Sequence, residues 1–251
     1  MFGFTMNTHD WIIPDWPAPS WIKAVSTTRV GGVSTGAYAS LNLAEHVADD
    51  PLAVIENRRR LREHLALPTE PVWLHQVHGC GIIDADAAVP VAEADGAVSR
   101  TPGHVCAVMT ADCLPVLLCD RAGTRVAAAH AGWRGLANGV IEAAVAALGV
   151  PGNSVLAWLG PAIGPQAFEV GAEVRAAFVA HNPAAADAFT AHGERWHADL
   201  YRLAHQRLSA LGITEIYGGG LCTYTDATRF YSYRRDGVTG RMATLIWSEN
   251  P

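Results

Sequence analysis

The chain has 251 residues, half of them hydrophobic and 17% charged, with a formal net charge of -6. This length and composition suit one folded domain with a substantial core and exclude a disordered chain. The acidic total argues against a nucleic-acid binder, since neutralising phosphates takes clustered Lys and Arg. The one dense basic run, Arg58-Arg59-Arg60, is expected on the solvated face of a helix.

In chain order, β-branched and apolar runs predict strands over 22–27, 72–75, 81–84, 105–110, 116–119, 125–130, 155–159, 215–217 and 242–247. Helices fill other gaps. Asp50 is a cap with Pro51 in the first turn of a helix reaching about Leu65, stopped before Pro68. A helix is expected near Leu136. Val140, Ala144 and Leu148 make a helical stripe ending at Gly149. The alanine-rich piece 183–191 reads as a helix or ordered excursion. Leu200, Leu203, Leu208 and Leu211 make a further stripe between Asp199 and Gly212. Short polar breaks such as 120–124 favour antiparallel neighbours over strict βαβ alternation. The expectation is a mixed α/β fold, one domain over residues 1–251, with a substantial sheet and helices outside.

No apolar stretch reaches the roughly 18 residues of a membrane span. Residues 1–19 lack the basic-then-apolar order of a signal peptide, so a cytoplasmic protein with no membrane partner is expected. The five cysteines, Cys80, Cys106, Cys113, Cys119 and Cys222, have no small-scaffold spacing. They are expected to be thiols or metal ligands.

Three motifs carry chemistry: Gln76-Val77-His78-Gly79, Ala111-Asp112-Cys113-Leu114-Pro115, and His130-Ala131-Gly132-Trp133-Arg134-Gly135. His75 and His78 are three apart, and on a strand such residues face opposite sides, so only one should join a site. His78, beside Gly79, is the choice. Cys113 lies where Pro115 is expected to stop ladder pairing. His130 ends a strand, and Gly132 and Gly135 allow a turn into a helix whose backbone N–H groups suit an anion. Arg134 adds a bidentate donor for phosphate or carboxylate, or else a surface ion pair. Trp133 reads as core. Asp112 is a poor orienter of His130.

Two His and one Cys with an open position fit catalytic zinc, which lowers the pKa of bound water towards about 7. Copper with a weak axial ligand is the alternative, with no obvious methionine motif nearby. Without metal, Cys113 and His130 could act as nucleophile and base.

The motifs resemble the YfiH family, also called the laccase-domain or multicopper polyphenol oxidase family. The likeness extends over Thr27-Thr28-Arg29-Val30-Gly31-Gly32-Val33-Ser34, Ser40-Leu41-Asn42-Leu43, His46-Val47 and Asn57-Arg58. It continues in Gly160-Pro161-Ala162-Ile163-Gly164-Pro165, Phe168-Glu169-Val170-Gly171, Cys222-Thr223, Phe230-Tyr231-Ser232-Tyr233-Arg234-Arg235-Asp236 and Thr239-Gly240-Arg241. The resemblance implies mixed sheets in an α/β/β/α sandwich and a metal, usually zinc, on His78, Cys113 and His130. It implies phosphorolysis of adenosine, inosine and methylthioadenosine, together with adenosine deamination. Older labels in the family imply a copper-dependent polyphenol oxidase, and a link to peptidoglycan precursor quality control is proposed for bacterial members.

Within that frame, catalytic roles fall to His78, Cys113, His130 and Arg134, and phosphate or substrate binding to Arg29, Asn42 and Arg134. The Tyr233–Asp236 segment reads as a salt-bridged hairpin end or a pocket wall, and Glu169 as a helix-start carboxylate or an acid. Where Ala-Asp-Ala-Leu-Val-Thr is expected, the chain has Ala94-Asp95-Gly96-Ala97-Val98-Ser99, so Gly96 should loosen a strand at the pocket rim. The expected partners are a nucleoside and phosphate, with the chain as a monomer or weak homo-oligomer. Three other readings stand beside this one. The oxidase is disfavoured because the 11 histidines form no His-x-His pair. The others are a Cys-His hydrolase and a metal-binding scaffold in cell-wall or division control.

Overall fold

The computed structural model describes residues 10–87 and 93–250. The chain runs β1 (Ile22–Ser26), α1 (Pro51–Leu65), β2 (Ile82–Asp84), β3 (Gly96–Ser99), β4 (Cys106–Thr110), β5 (Leu114–Asp120), β6 (Val126–Ala131), α2 (Trp133–Asn138) and α3 (Val140–Leu148). It continues with β7 (Val155–Leu159), β8 (Glu169–Val170), α4 (Ala172–His181), β9 (Phe189–His192), β10 (Arg195–Ala198), α5 (Leu200–Ala210), β11 (Glu215–Gly218), α6 (Tyr233–Asp236) and β12 (Met242–Ser248).

The strands form a mixed six-stranded sheet in the order β11-β7-β5-β6-β3-β2, an antiparallel sheet β1-β12-β4, and a small antiparallel sheet β8-β10-β9. In the large sheet β5, β6, β7 and β3 meet antiparallel, while β11 joins β7 and β2 joins β3 in parallel. Period-two alternation divides each strand between two cores. Leu114, Val116 and Leu118 of β5 face α2, α3 and α5 with Ala127, Ala129, Leu136, Ile141, Ala144 and Leu203. Leu117 and Cys119 face the other way, onto Cys106, Val108 and Ile246 of the second sheet. The outer face of that sheet, Val25, Met109 and Leu245, is covered by Leu61 of α1 and by Leu41 and Leu43. The layers are helix, sheet, sheet, helix, as the resemblance implies.

Local chemistry explains the helix ends. The Asp50 carboxylate accepts from Leu52 N at 2.9 Å and Pro51 opens α1, while Asp199 accepts from Arg202 N at the start of α5. Arg59 and Arg60 pair with Glu56, and Arg59 with Glu63, on the exposed face of α1, whereas Arg58 departs from the expected solvated face: it is largely buried, donating to the Leu43 carbonyl and Glu45 and stacking on Trp73. The buried Asn57 faces inward; its amide donates to Ser34 Oγ and to the Ser40 and Asn42 carbonyls, pinning the 33–42 loop. All five cysteines are free thiols.

Several expectations are corrected. The strand expected over 72–75 is reduced to bridges, Val72 to Cys106 and His75 to Glu93. Pro115 does not end pairing. It is the second residue of central β5, registered against His130, and pairing to β7 begins one residue later at Val116. Gly96 is buried and paired on both sides, away from the pocket. A Cβ there would lie 2.6 Å from Ile82 Cδ1 and 2.7 Å from the Ala128 carbonyl oxygen, so Gly96 gives close packing rather than looseness. The piece 183–191 divides into a 3-10 turn, Pro183–Ala188, and the start of β9. Among the described residues no helix is long and apolar enough to cross a membrane.

Candidate metal centre and its pocket

Each of the three ligand-bearing motifs sits on a sharp bend near one end of the two facing sheets. The turn 111–113 carries the chain from β4 in one sheet to β5 in the other, and Cys113 lies on it. Asp112 takes φ 95°. Its carboxylate accepts from Thr223 Oγ1 at 2.6 Å and Arg234 N at 2.7 Å, while its carbonyl accepts from Ile163 N at 2.9 Å. Asp112 therefore locks the turn and does not orient His130. His78 also has a left-handed backbone, φ 59°, in the loop before β2. Left-handed backbone at a non-glycine residue costs about 1–3 kcal/mol and persists only where its surroundings hold it.

Asp95 does the holding. Fully buried at 0% exposure, it accepts from Val77 N at 3.3 Å, His78 N at 2.9 Å and Gly79 N at 2.6 Å. The same carboxylate meets His130 Nδ1 at 2.8 Å. One side chain thus shapes the His78 loop and fixes the ring of His130. Its acidity is raised by these contacts: burial pushes the carboxyl up, and the His130 and Gly79 hydrogen bonds outweigh it.

The result is a cluster of His78, Cys113 and His130 whose ligand atoms all lie within 4.8 Å of one another. Cys113 Sγ is 3.8 Å from His78 Nε2, and the His78 and His130 rings meet edge to face at 4.8 Å. Burial pushes the Cys113 thiol up, but the His130 charge and hydrogen bonds from His130 and His78 bring it down to about 6. Burial likewise pushes His130 down, and the Cys113 charge with the Asp95 hydrogen bond lifts it instead. A thiolate facing two imidazoles is a transition-metal donor set. With Nδ1 of His130 donating to Asp95, its Nε2 lone pair is free for a metal. Gly132 keeps the space open: a Cβ there would lie 2.9 Å from both Cys113 Sγ and His78 Cδ2. The residues fit a metal with three protein ligands, and all three line the pocket.

That pocket is a cavity of about 550 Å³. Its walls include the rings of Trp133, Phe168 and Tyr233, the apolar Met109, Ile163 and Leu200, and the cationic or basic His46, Arg134, Arg234 and Arg241. Trp133, expected in the core, is half-buried and carries the Arg134 guanidinium over its ring at 4.5 Å. The exposed Arg134 side chain makes no ion pair with another described residue. Arg234 donates to the Glu169 carbonyl at 2.8 Å and stacks on Phe168 at 5.2 Å. The 233–236 segment is a short helix, α6, that lines the pocket through Tyr233 and Arg234 while Arg235 pairs with Asp236. His75 stays outside the cluster, 3.8 Å from Glu93.

Two assigned residues are displaced from the site. Arg29 does not line the cavity: its guanidinium is committed to the Ala39 carbonyl at 2.9 Å and the Ala227 carbonyl at 3.1 Å, and stacks on Tyr231. Asn42 is wholly buried, with its amide on Ala44 O and Asp49 and its carbonyl accepting from Ala44 N and Arg241 N. Asn42 has no free group for phosphate, and Arg29 is held away from the cavity lining by these contacts. Their place as cations or anchors at the cavity is taken by Arg241 and Arg234. Asp95 is the residue that local reading passed over; the one available signal was an acid beside a glycine in a quoted block. Glu169 is not at a helix start but in β8, with Gly171 preceding α4.

The likeness to known proteins is chain-wide. The family model described as Multi-copper polyphenol oxidoreductase laccase matches residues 23–249. The chain belongs to this laccase-domain family. A Pseudomonas aeruginosa member named purine nucleoside phosphorylase is 59% identical over 96% of this chain and 99% of its own. The Escherichia coli member named purine nucleoside phosphorylase YfiH is 55% identical over 94% and 98%. Among solved laccase-domain structures, a Neisseria meningitidis protein superposes with TM-score 0.93 at 50% identity, covering 96% of this chain and 100% of that one. YlmD of Geobacillus stearothermophilus gives TM-score 0.91 at 31% identity, over 98% and 99%.

Proposed function

We propose that this protein is a zinc-dependent purine nucleoside phosphorylase acting on adenosine, inosine and methylthioadenosine, with adenosine deaminase activity. The observation that carries the reading is an open His78–Cys113–His130 centre at the floor of an aromatic and arginine-walled cavity of about 550 Å³. The names of close relatives point the same way. Zinc is favoured by the two-nitrogen, one-sulfur donor set and by the lack of any His-x-His pair in the sequence, which multicopper oxygen reduction would use. Met109 also lines the cavity.

When bound, zinc supplies Lewis acidity at the open position. The chain supplies the rest. Trp133 and the exposed Tyr233 offer ring surface for a purine, with Trp133 carrying Arg134 on one face. Arg134, Arg234 and Arg241, which line the cavity, would hold phosphate and the charge that develops on transfer. Asp95 keeps the His130 proton on Nδ1 and the ring in one orientation. The protein works in the cytoplasm on small molecules, as a monomer or weak homo-oligomer.

The test is incubation with adenosine and phosphate, followed by chromatography. Ribose 1-phosphate with adenine, and inosine, are the expected products, and both disappear in Cys113→Ser together with bound zinc. If neither product forms with the wild-type holoenzyme, the reading fails. One observation favours a second reading: Asp95, His130 and Cys113 are linked in the order of a carboxylate–imidazole–thiol hydrolase. Full activity after metal removal, abolished by iodoacetamide, would select that mechanism.

A further inference from the structure

We propose that the small sheet β8-β10-β9 carries a second divalent transition-metal site on Glu169, His192 and His197, separate from the His78–Cys113–His130 centre. The register puts the three residues on one face. Glu169 pairs with His197 across β8 and β10, and His197 pairs with Thr190, two residues before His192 on β9. Residues directly opposite share a face, as do residues two apart on a strand.

The side chains are already converged. The His192 and His197 rings stack at 4.2 Å with an interplanar angle of 19°, and His192 Nδ1 lies 3.0 Å from Glu169 Oε2. One ligand atom from each residue falls within 4.8 Å of the others. A tetrahedral zinc with bonds of about 2.0–2.1 Å wants ligands about 3.3 Å apart, so the cluster must close slightly and one ring must turn out of the stack to aim its lone pair at the metal. His192 is exposed, which leaves its side chain room to make that adjustment. Among the described residues Arg195 competes for the carboxylate, its Nε 3.6 Å from Glu169 Oε1. The donor set, two imidazoles and one carboxylate, suits zinc, copper or nickel and disfavours magnesium and calcium, which take all-oxygen shells. Water would complete the coordination.

The site has a path to the pocket. Glu169 follows Phe168, which walls the cavity, and its carbonyl holds the Arg234 guanidinium at 2.8 Å. A metal drawing in the Glu169 carboxylate acts one residue from that wall.

The experiment is equilibrium dialysis of metal-stripped full-length protein against zinc chloride, with bound zinc counted by elemental analysis. The expected result is one more equivalent per chain in the wild type than in a His192→Ala/His197→Ala double variant. Glu169→Gln, with its matched shape, should weaken the same equivalent without removing the other. Equal zinc counts in the wild type and the double variant would overturn the proposal. Far-ultraviolet circular dichroism and thermal melting establish that the variants fold. Single His192→Ala, an exposed position, serves if the double variant does not. The comparison is between proteins, so it reads the same whether or not the first centre takes zinc.

Discussion

The two histidine clusters of this chain are built from similar donors on very different ground. His78 and Cys113 sit on bends and His130 near the end of β6, with His130 only 3% exposed and its ring fixed by a wholly buried carboxylate. Glu169, His192 and His197 sit on the open face of a small sheet, where the His192 side chain is 57% exposed. The first cluster has its orientation settled before any metal arrives, and the second settles only as a metal draws its side chains together. Preorganised ligands lose little freedom on binding, so the first should bind more tightly and more selectively.

Removing a ligand from the rigid cluster tests this most severely. Cys113→Ser should cost the first site more than the roughly 10–100-fold in metal affinity typical of losing an outer partner, while the Glu169 cluster keeps its zinc. Titration against a chromophoric chelator measures both. Next comes Asp95→Asn, which leaves all three ligands in place. It should weaken metal binding by roughly 10–100-fold. It should also lower stability by about 1–3 kcal/mol, because Asn keeps only one acceptor oxygen and turns an NH2 donor towards N–H groups that Asp95 now accepts. Urea denaturation reads the second effect, and unchanged metal affinity would mean that orientation of His130 matters little.

A smaller effect is expected at the pocket wall. Arg134→Ala should raise KM for phosphate by about tenfold, the loss of one charge-assisted contact worth roughly 1.5–3 kcal/mol at most. Asn42→Ala should leave that KM unchanged and act on stability alone, since its hydrogen bonds tie Ala44, Asp49 and Arg241 together. Steady-state kinetics at varied phosphate separates the two.

The subtlest test uses pH. In chelator-treated protein the Cys113 thiol titrates near about 6, so its alkylation by iodoacetamide should rise through that pH. A midpoint near the ordinary thiol range of about 8.5 would show the His130 contact to be weak. The signs of the linked stabilities differ. A depressed thiol stabilises fully above its unfolded value and loses that contribution as pH falls through about 6. His130, raised to about 9, stabilises fully below its unfolded value and loses that contribution as pH rises through about 9. Between those limits the two proton balances offset, and the metal-free pair should give a nearly flat stability profile.

The contrast between the clusters also marks what could be read from local sequence. The strands of the large sheet are β-branched or apolar runs that declare themselves, and α1, α3 and α5 carry caps and stripes. The small sheet is hard to read for its shortness: β9 is Phe-Thr-Ala-His and β10 Arg-Trp-His-Ala, four residues each, alternating but with one aromatic and one alanine apiece as the apolar positions. Helix α4 buries only Val174 and Phe178, too thin a stripe to stand out in an alanine-rich stretch. So Glu169, His192 and His197 were legible as residues but not as neighbours. At the first centre the ligands were legible because each sits beside a glycine or proline that interrupts an apolar run. The left-handed turns at His78 and Asp112 were not, because what holds them is distant: Asp95 for one, Thr223 and Arg234 for the other. Arg29 and Asn42 were misplaced for the same reason, since proximity to glycines says nothing about carbonyls contributed from elsewhere in the chain.

The anchoring of Asp112 bears on how the protein is made. Its carboxylate is gripped by Thr223, 111 residues downstream, and by Arg234, 122 residues downstream. While the chain leaves the ribosome, His78, Cys113 and His130 are all exposed long before the segment that sets the Cys113 turn has been synthesised. For that interval the nascent protein carries a thiol of ordinary acidity and two imidazoles without their final geometry. The activated thiolate and the ligand set therefore arise together, only after residues 223–234 have been made.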